Sequence, residues 1–86
     1  MHEVEISPSA FKFLTSLKRT HKPIADRIVS VIDEFKTNPF LGKKLTGNLS
    51  DYRSVRIGEY RILYSVFEKR LLIHVVKIAH RREVYR

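Results

Sequence analysis

His80, Arg81, Arg82 and Tyr85 stand within seven residues at the end of the chain, and Arg53, Arg56 and Arg61 stand with Tyr52 and Tyr60 a short way upstream. A guanidinium is a permanent cation whose planar fork of N–H donors matches phosphate oxygens, and a phenol can stack on a base or handle a proton. Residues of these two types fit phosphodiester chemistry, in which negative charge builds on the oxygens around phosphorus during attack. They point to a small RNA-cleaving enzyme. His80 adds an acid–base candidate titrating near neutrality, although arginines on its flank favour its neutral form.

Other chemistries lack their residues. The chain has no cysteine, which removes disulfides and thiolate metal sites and suits a reducing compartment, so a cytoplasmic protein is expected. No pair of histidines has ligand spacing with carboxylates, so no metal is expected, and no cofactor-binding pattern is present. There is no glycine-rich phosphate loop and no Ser/His/Asp arrangement. No stretch approaches the ~20 apolar residues of a membrane span, so no membrane partner is expected.

The net charge of +8 is unevenly placed. Residues 1–42 hold six Lys/Arg against five Asp/Glu, whereas residues 43–86 hold eleven against four. The second half is therefore the side that meets a polyanion, attracting it in a salt-dependent way that carries no sequence information. Lys43 and Lys44 sit at the centre of a connecting segment and suit a grip on backbone phosphates.

These groups must be positioned by a single domain spanning residues 1–86, long enough for one modest core. Alternation over residues 2–6 predicts a strand that Ser7-Pro8 ends, with Ser7 as N-cap and Pro8 opening a helix over residues 8–20 on Phe11, Leu14 and Leu17, with Phe13 on one flank. Pro23 opens a second helix, in which Ile24, Ile28, Val31, Ile32 and Phe35 form one apolar stripe ending before Asn38-Pro39. Residues 39–50 read as a loop, followed by strands at about 52–57, 60–67 and 71–79. The order β-α-α-β-β-β predicts an α+β fold with two N-terminal helices packed on one face of a small antiparallel sheet.

Gly58-Glu59 reads as a two-residue hairpin loop, which would pair Ile57 with Tyr60, Arg56 with Arg61, Val55 with Ile62 and Ser54 with Leu63. Period two then puts Val55, Ile57, Tyr60, Ile62 and Tyr64 under the helices, and Tyr52, Ser54, Arg56 and Arg61 on the other face. Arg53 falls on the apolar face and snorkels to its edge. Like charges directly opposite destabilise a sheet, so the Arg56–Arg61 pair points to an anion between or above them. In the last strand both faces are mostly apolar, and its register depends on the turn at Glu68–Arg70.

Lys44-Leu45-Thr46-Gly47, the run Tyr52–Tyr64 and the run Ile78–Tyr85 together resemble the RelE/ParE toxin superfamily, on its RelE-like side, and the resemblance covers nearly the whole chain. It implies a RelE-like fold and a ribosome-dependent mRNA interferase, the toxin of a type II toxin–antitoxin pair, cutting mRNA in the ribosomal A site without metal by 2′-hydroxyl attack. Carried over residue by residue, Arg61, Arg81 and Tyr85 match the family's catalytic positions, and Arg56 matches the second basic position of the preceding strand. The first basic position falls on Ser54, with Arg53 beside it; this departure leaves the general base unassigned. The chain also stops one residue after Tyr85, without the C-terminal helix of some relatives.

In this reading Arg56 and Arg61 hold the developing charge, and Arg81 neutralises the leaving 5′-oxygen or donates a proton to it. Tyr85 stacks on a base or, with a lowered pKa, acts as base. Lys43, Lys44, Arg53, Ser54, His80 and Arg82 complete the RNA-binding set. The partners implied are the ribosome, mRNA and a cognate RelB-like antitoxin, acidic or amphipathic, that neutralises the basic half. The alternatives are a ParE-like inhibitor of DNA gyrase that needs no hydrolysis, and a nucleic-acid-binding module without catalysis.

Overall fold

Ser7 decides where the chain turns from strand to helix. Its Oγ accepts from the Ala10 backbone N–H at 3.1 Å and donates to the Val76 carbonyl at 2.7 Å, so one hydroxyl caps a helix and ties it to a distant strand. The computed structural model describes residues 1–83. β1 (Glu3–Ile6) precedes Ser7, and α1 (Pro8–Thr20) and α2 (Lys22–Glu34) follow, each with proline in its first turn, where a missing N–H costs nothing. α1 buries Ala10, Leu14 and Leu17. Phe11 is 61% exposed, so the buried stripe starts one residue earlier than expected and Phe13 packs on its flank. α2 buries Ala25, Ile28 and Ile32, with Phe35 immediately beyond it.

The remaining strands are β2 (Lys43–Lys44), β3 (Arg53–Ile57), β4 (Tyr60–Phe67) and β5 (Leu72–His80). They form one sheet with β1 in the order β1-β5-β4-β3-β2, and both helices pack on one face of it, as expected for the α+β class. Two details differ from expectation. β1 lies parallel to β5, so the sheet is mixed: the two helices carry the chain from β1 to β2 at the far edge, and β2, β3 and β4 then bring it back to β5 beside β1. Lys43 and Lys44 pair with Ser54 and Arg53 as a short edge strand inside the segment read as loop.

The β3–β4 hairpin has the expected register. Arg56 pairs with Arg61, and Gly58 takes φ 59°, which the turn needs at that position. Between β4 and β5, Leu63 faces Lys77 while Tyr64 faces Val75, leaving Val76 as an extra residue. This bulge resets the alternation, so that Ile73, Val75 and Ile78 all reach the core beside Ile62 and Tyr64. The strand therefore has a defined inner face despite its nearly continuous apolar sequence.

Tyr64 also fixes the segment leading into β2. Its ring stacks on Phe35 with centroids 4.1 Å apart, and its hydroxyl accepts from the Gly42 N–H at 2.8 Å and donates to the Pro39 carbonyl at 2.9 Å. A Cβ at Gly42 would lie 2.8 Å from the Tyr64 ring edge and hydroxyl, so only glycine fits there. Burial raises the Tyr64 phenol above its ordinary pKa, against smaller opposing effects of the Gly42 N–H and the Arg53 cation.

Candidate functional site

The face of the sheet away from the helices carries the basic groups. Pairing across β3 and β4 sets Arg56 beside Arg61 and Ser54 beside Leu63, and β2 adds Lys43 opposite Ser54 on that same face. On β5, Ala79 lies beside Arg61 and Lys77 beside Leu63. Leu63 and Ala79 are buried here under Leu45 and Tyr52, away from the main core. The result is a small apolar floor bordered by cations.

Arg61 donates from Nη1 toward Ser54 Oγ at 3.5 Å, and Arg56 donates from Nε to the Gly58 carbonyl at 3.0 Å. The residue just past β5 joins them at the same end of the sheet. Arg81 donates its backbone N–H to the Glu59 carbonyl at 2.7 Å and its Nε–H to Glu59 Oε2, also at 2.7 Å. Arg56 Nη2 lies 4.0 Å from Glu59 Oε1, and His80 Nε2 lies 4.0 Å from Glu59 Oε2. The Glu59 carboxylate thus links Arg56, His80 and Arg81. His80 Nδ1 accepts from the Arg82 N–H at 3.3 Å, which puts the proton of the neutral ring on Nε2, toward Glu59. The imidazole also meets Tyr60 edge-on at 5.8 Å.

Of the residues singled out from sequence, Arg56, Arg61 and Arg81 come together, with Ser54 under Arg61 and Lys43 further along the same face, whereas His80 pairs with Tyr60 and turns to the helix side of the sheet. Arg82 is exposed beside them. Arg53 and Lys44 pair with each other and face the helix side. There Arg53 donates to the Gly42 carbonyl at 2.8 Å, its guanidinium 4.7 Å from the centre of the Phe40 ring, so it braces the fold. Tyr85 lies outside the described residues. Sequence reasoning missed two members of the region: Lys77, which donates to the Glu83 carbonyl at 3.0 Å, and Glu59 as the link between three strand ends. A signal for Glu59 was present, as the nearest carboxylate to the arginine pair, but its contact with Arg81 depends on the β4–β5 register that the bulge hides.

The geometry suits an anion with several oxygens. Arg56 and Arg81 side chains are each about half accessible, open to a ligand yet held by defined partners. Guanidiniums at these positions can stabilise charge on nonbridging oxygens without changing protonation state. Among the described residues, no cluster of three or more His, Cys, Asp or Glu has the arrangement of a metal site.

Comparison with known proteins places this geometry in context. The family model for the ParE toxin of the type II toxin–antitoxin system parDE matches residues 4–85. Toxin RelG of Mycobacterium tuberculosis is 27% identical over 85 residues, covering 92% of this chain and 98% of the relative. The YoeB/ParE toxin from Agrobacterium tumefaciens superposes with a TM-score of 0.80 at 25% identity, covering 93% of this chain and 98% of that one. A chain of the archaeal RelE–RelB complex from Pyrococcus horikoshii superposes with a TM-score of 0.73 at 26% identity, covering 95% and 97%.

Proposed function

The chain belongs to the RelE/ParE toxin superfamily of type II toxin–antitoxin systems, and from that premise we propose that it is a ribosome-dependent mRNA endonuclease that inhibits translation. The supporting observation is the Arg56–Arg61 pair on the open face, with Arg81 tied to the same end of the sheet. In the proposed reaction the 2′-oxygen of the nucleotide before the cut attacks phosphorus, the P–O5′ bond breaks, and a 2′,3′-cyclic phosphate and a 5′-hydroxyl result. The 2′-hydroxyl loses its proton and the leaving 5′-oxygen gains one. Arg56 and Arg61 stabilise the charge on the nonbridging oxygens more in the transition state than in the ground state. Arg81 neutralises the leaving oxygen. Tyr85 orients the nucleotide by stacking, and Lys43 grips the backbone along the same face.

The partners in this reading are the ribosome with its mRNA and a cognate RelB-like antitoxin, all met in the cytoplasm. The likeness to a chain of a RelE–RelB complex supports an antitoxin partner, and the excess positive charge of residues 43–86 suits an acidic segment of it. Saturating antitoxin is expected to abolish toxicity, and toxicity that persists would contradict this pairing.

The description of the matching family model favours a second reading, a ParE-like inhibitor of DNA gyrase without hydrolysis. Primer extension on translated mRNA after expression separates the two. Ribosome-phased breaks support cleavage, whereas DNA damage with intact mRNA supports the gyrase reading.

A further inference from the structure

We propose that Glu59 is a positioning residue that sets the direction of Arg81, an inference that rests on the nuclease reading above. Arg81 follows the last residue of β5, so no strand ladder holds its side chain. Glu59 supplies two tethers instead: its carbonyl takes the Arg81 backbone N–H, and its carboxylate takes Nε–H, each at 2.7 Å. Binding at Nε fixes the plane of the guanidinium and directs its terminal amino groups, where a phosphate oxygen is met. The other carboxylate oxygen lies 4.0 Å from Arg56 Nη2, so the same group stands between two of the three arginines.

Neither the turn nor the stability of the fold requires this carboxylate. The hairpin needs glycine at Gly58, with φ 59°, but no acid at the next position. An ion pair between half-exposed side chains contributes little to folding. Glu59 also subtracts a charge from a site that attracts polyanions, so it works against binding. What it gains is geometry, and misplacement of a reacting partner by about an ångström can cost on the order of 100-fold in rate.

The test compares wild type with Glu59→Gln, measuring ribosome affinity and single-turnover cleavage of mRNA on programmed ribosomes, together with the NMR signal of the Arg81 Nε–H. Glu59→Gln is expected to bind ribosomes as tightly as wild type or more tightly, to cut about 10–100-fold more slowly, and to shift the Nε–H signal upfield with faster exchange. Adding Arg81→Ala to Glu59→Gln should cost much less than Arg81→Ala alone, because the two act as one unit. An unchanged rate, or fully multiplicative losses, would overturn the proposal, as would an Nε–H signal indifferent to the substitution. A wild type that cuts nothing, but whose Nε–H signal depends on Glu59, would overturn the nuclease reading and support the tether.

Discussion

Arg56 and Arg61 are directly paired across the β3–β4 hairpin, two cations on neighbouring strands of one exposed sheet face. A cross-strand pair of like charge costs stability, on the order of 0.2–1 kcal/mol, unless an anion sits over it. The arrangement makes sense as a site kept ready for a polyanion at the expense of the free protein.

Removing one member of the pair should separate stability from activity. Arg61→Gln is expected to raise the urea unfolding free energy slightly, by about 0.2–1 kcal/mol, and to lower the cleavage rate by about 10²–10³-fold. Loss of both together would mean that Arg61 is structural.

Lys43 and Lys44 are sequence neighbours with the same charge on opposite faces of the sheet. Lys43→Ala should weaken binding to a single-stranded RNA oligomer and reduce the salt dependence, the slope of log K against log salt falling by about 0.7. Lys44→Ala should leave that slope much closer to wild type. Fluorescence titrations at several salt concentrations measure the difference, and equal slopes would contradict the assignment of the open face as the RNA-binding side.

Tyr64 is expected to report on pH. Its raised pKa means that folding favours the neutral phenol. The unfolded chain loses this proton near pH ~10 while the folded chain keeps it, so stability is intact below that pH and declines as pH rises through the folded value. Tyr64→Phe should remove this part of the alkaline decline. It should also cost about 1–3 kcal/mol at neutral pH, because the Gly42 N–H and the Pro39 carbonyl lose their partner. Unfolding of both proteins between neutral and strongly alkaline pH gives the comparison; parallel curves would refute it.

Gly42→Ala should be destabilising although glycine here has no unusual backbone angle. The added Cβ would press on the Tyr64 hydroxyl and on the Ser54 carbonyl, 2.8 and 3.0 Å away. A loss of about 1–3 kcal/mol in chemical denaturation is expected, and a neutral effect would show that the loop relaxes freely.

The parts of this molecule governed by local rules were legible in its residues. Ser7-Pro8 gave the first helix start, the stripe from Ile24 to Phe35 gave the second helix, and the Gly58-Glu59 loop length fixed the register that pairs Arg56 with Arg61. Non-local features were hidden. Nothing in Glu3–Ile6 distinguishes a parallel from an antiparallel neighbour, because that choice depends on the path of the two helices and three strands between β1 and β5. The two-residue strand at Lys43–Lys44 is too short for a periodic signal and is held by contacts to Tyr64 and Arg53. The extra residue at Val76 lies in an apolar run, where every register buries something. The same hidden register kept Glu59 from being read as the partner of Arg81, whereas the likeness of the arginine-bearing motifs to a toxin superfamily supplied most of the candidate residues.

The central claim is that the open face cuts mRNA on the ribosome, and single-turnover cleavage of mRNA on programmed ribosomes by purified protein tests it most directly. Wild type should produce breaks at a fixed position within the A-site codon, and Arg81→Ala should produce them at least ~10²-fold more slowly while still binding ribosomes. Intact mRNA with wild type, or equal cleavage by the variant, would contradict the account.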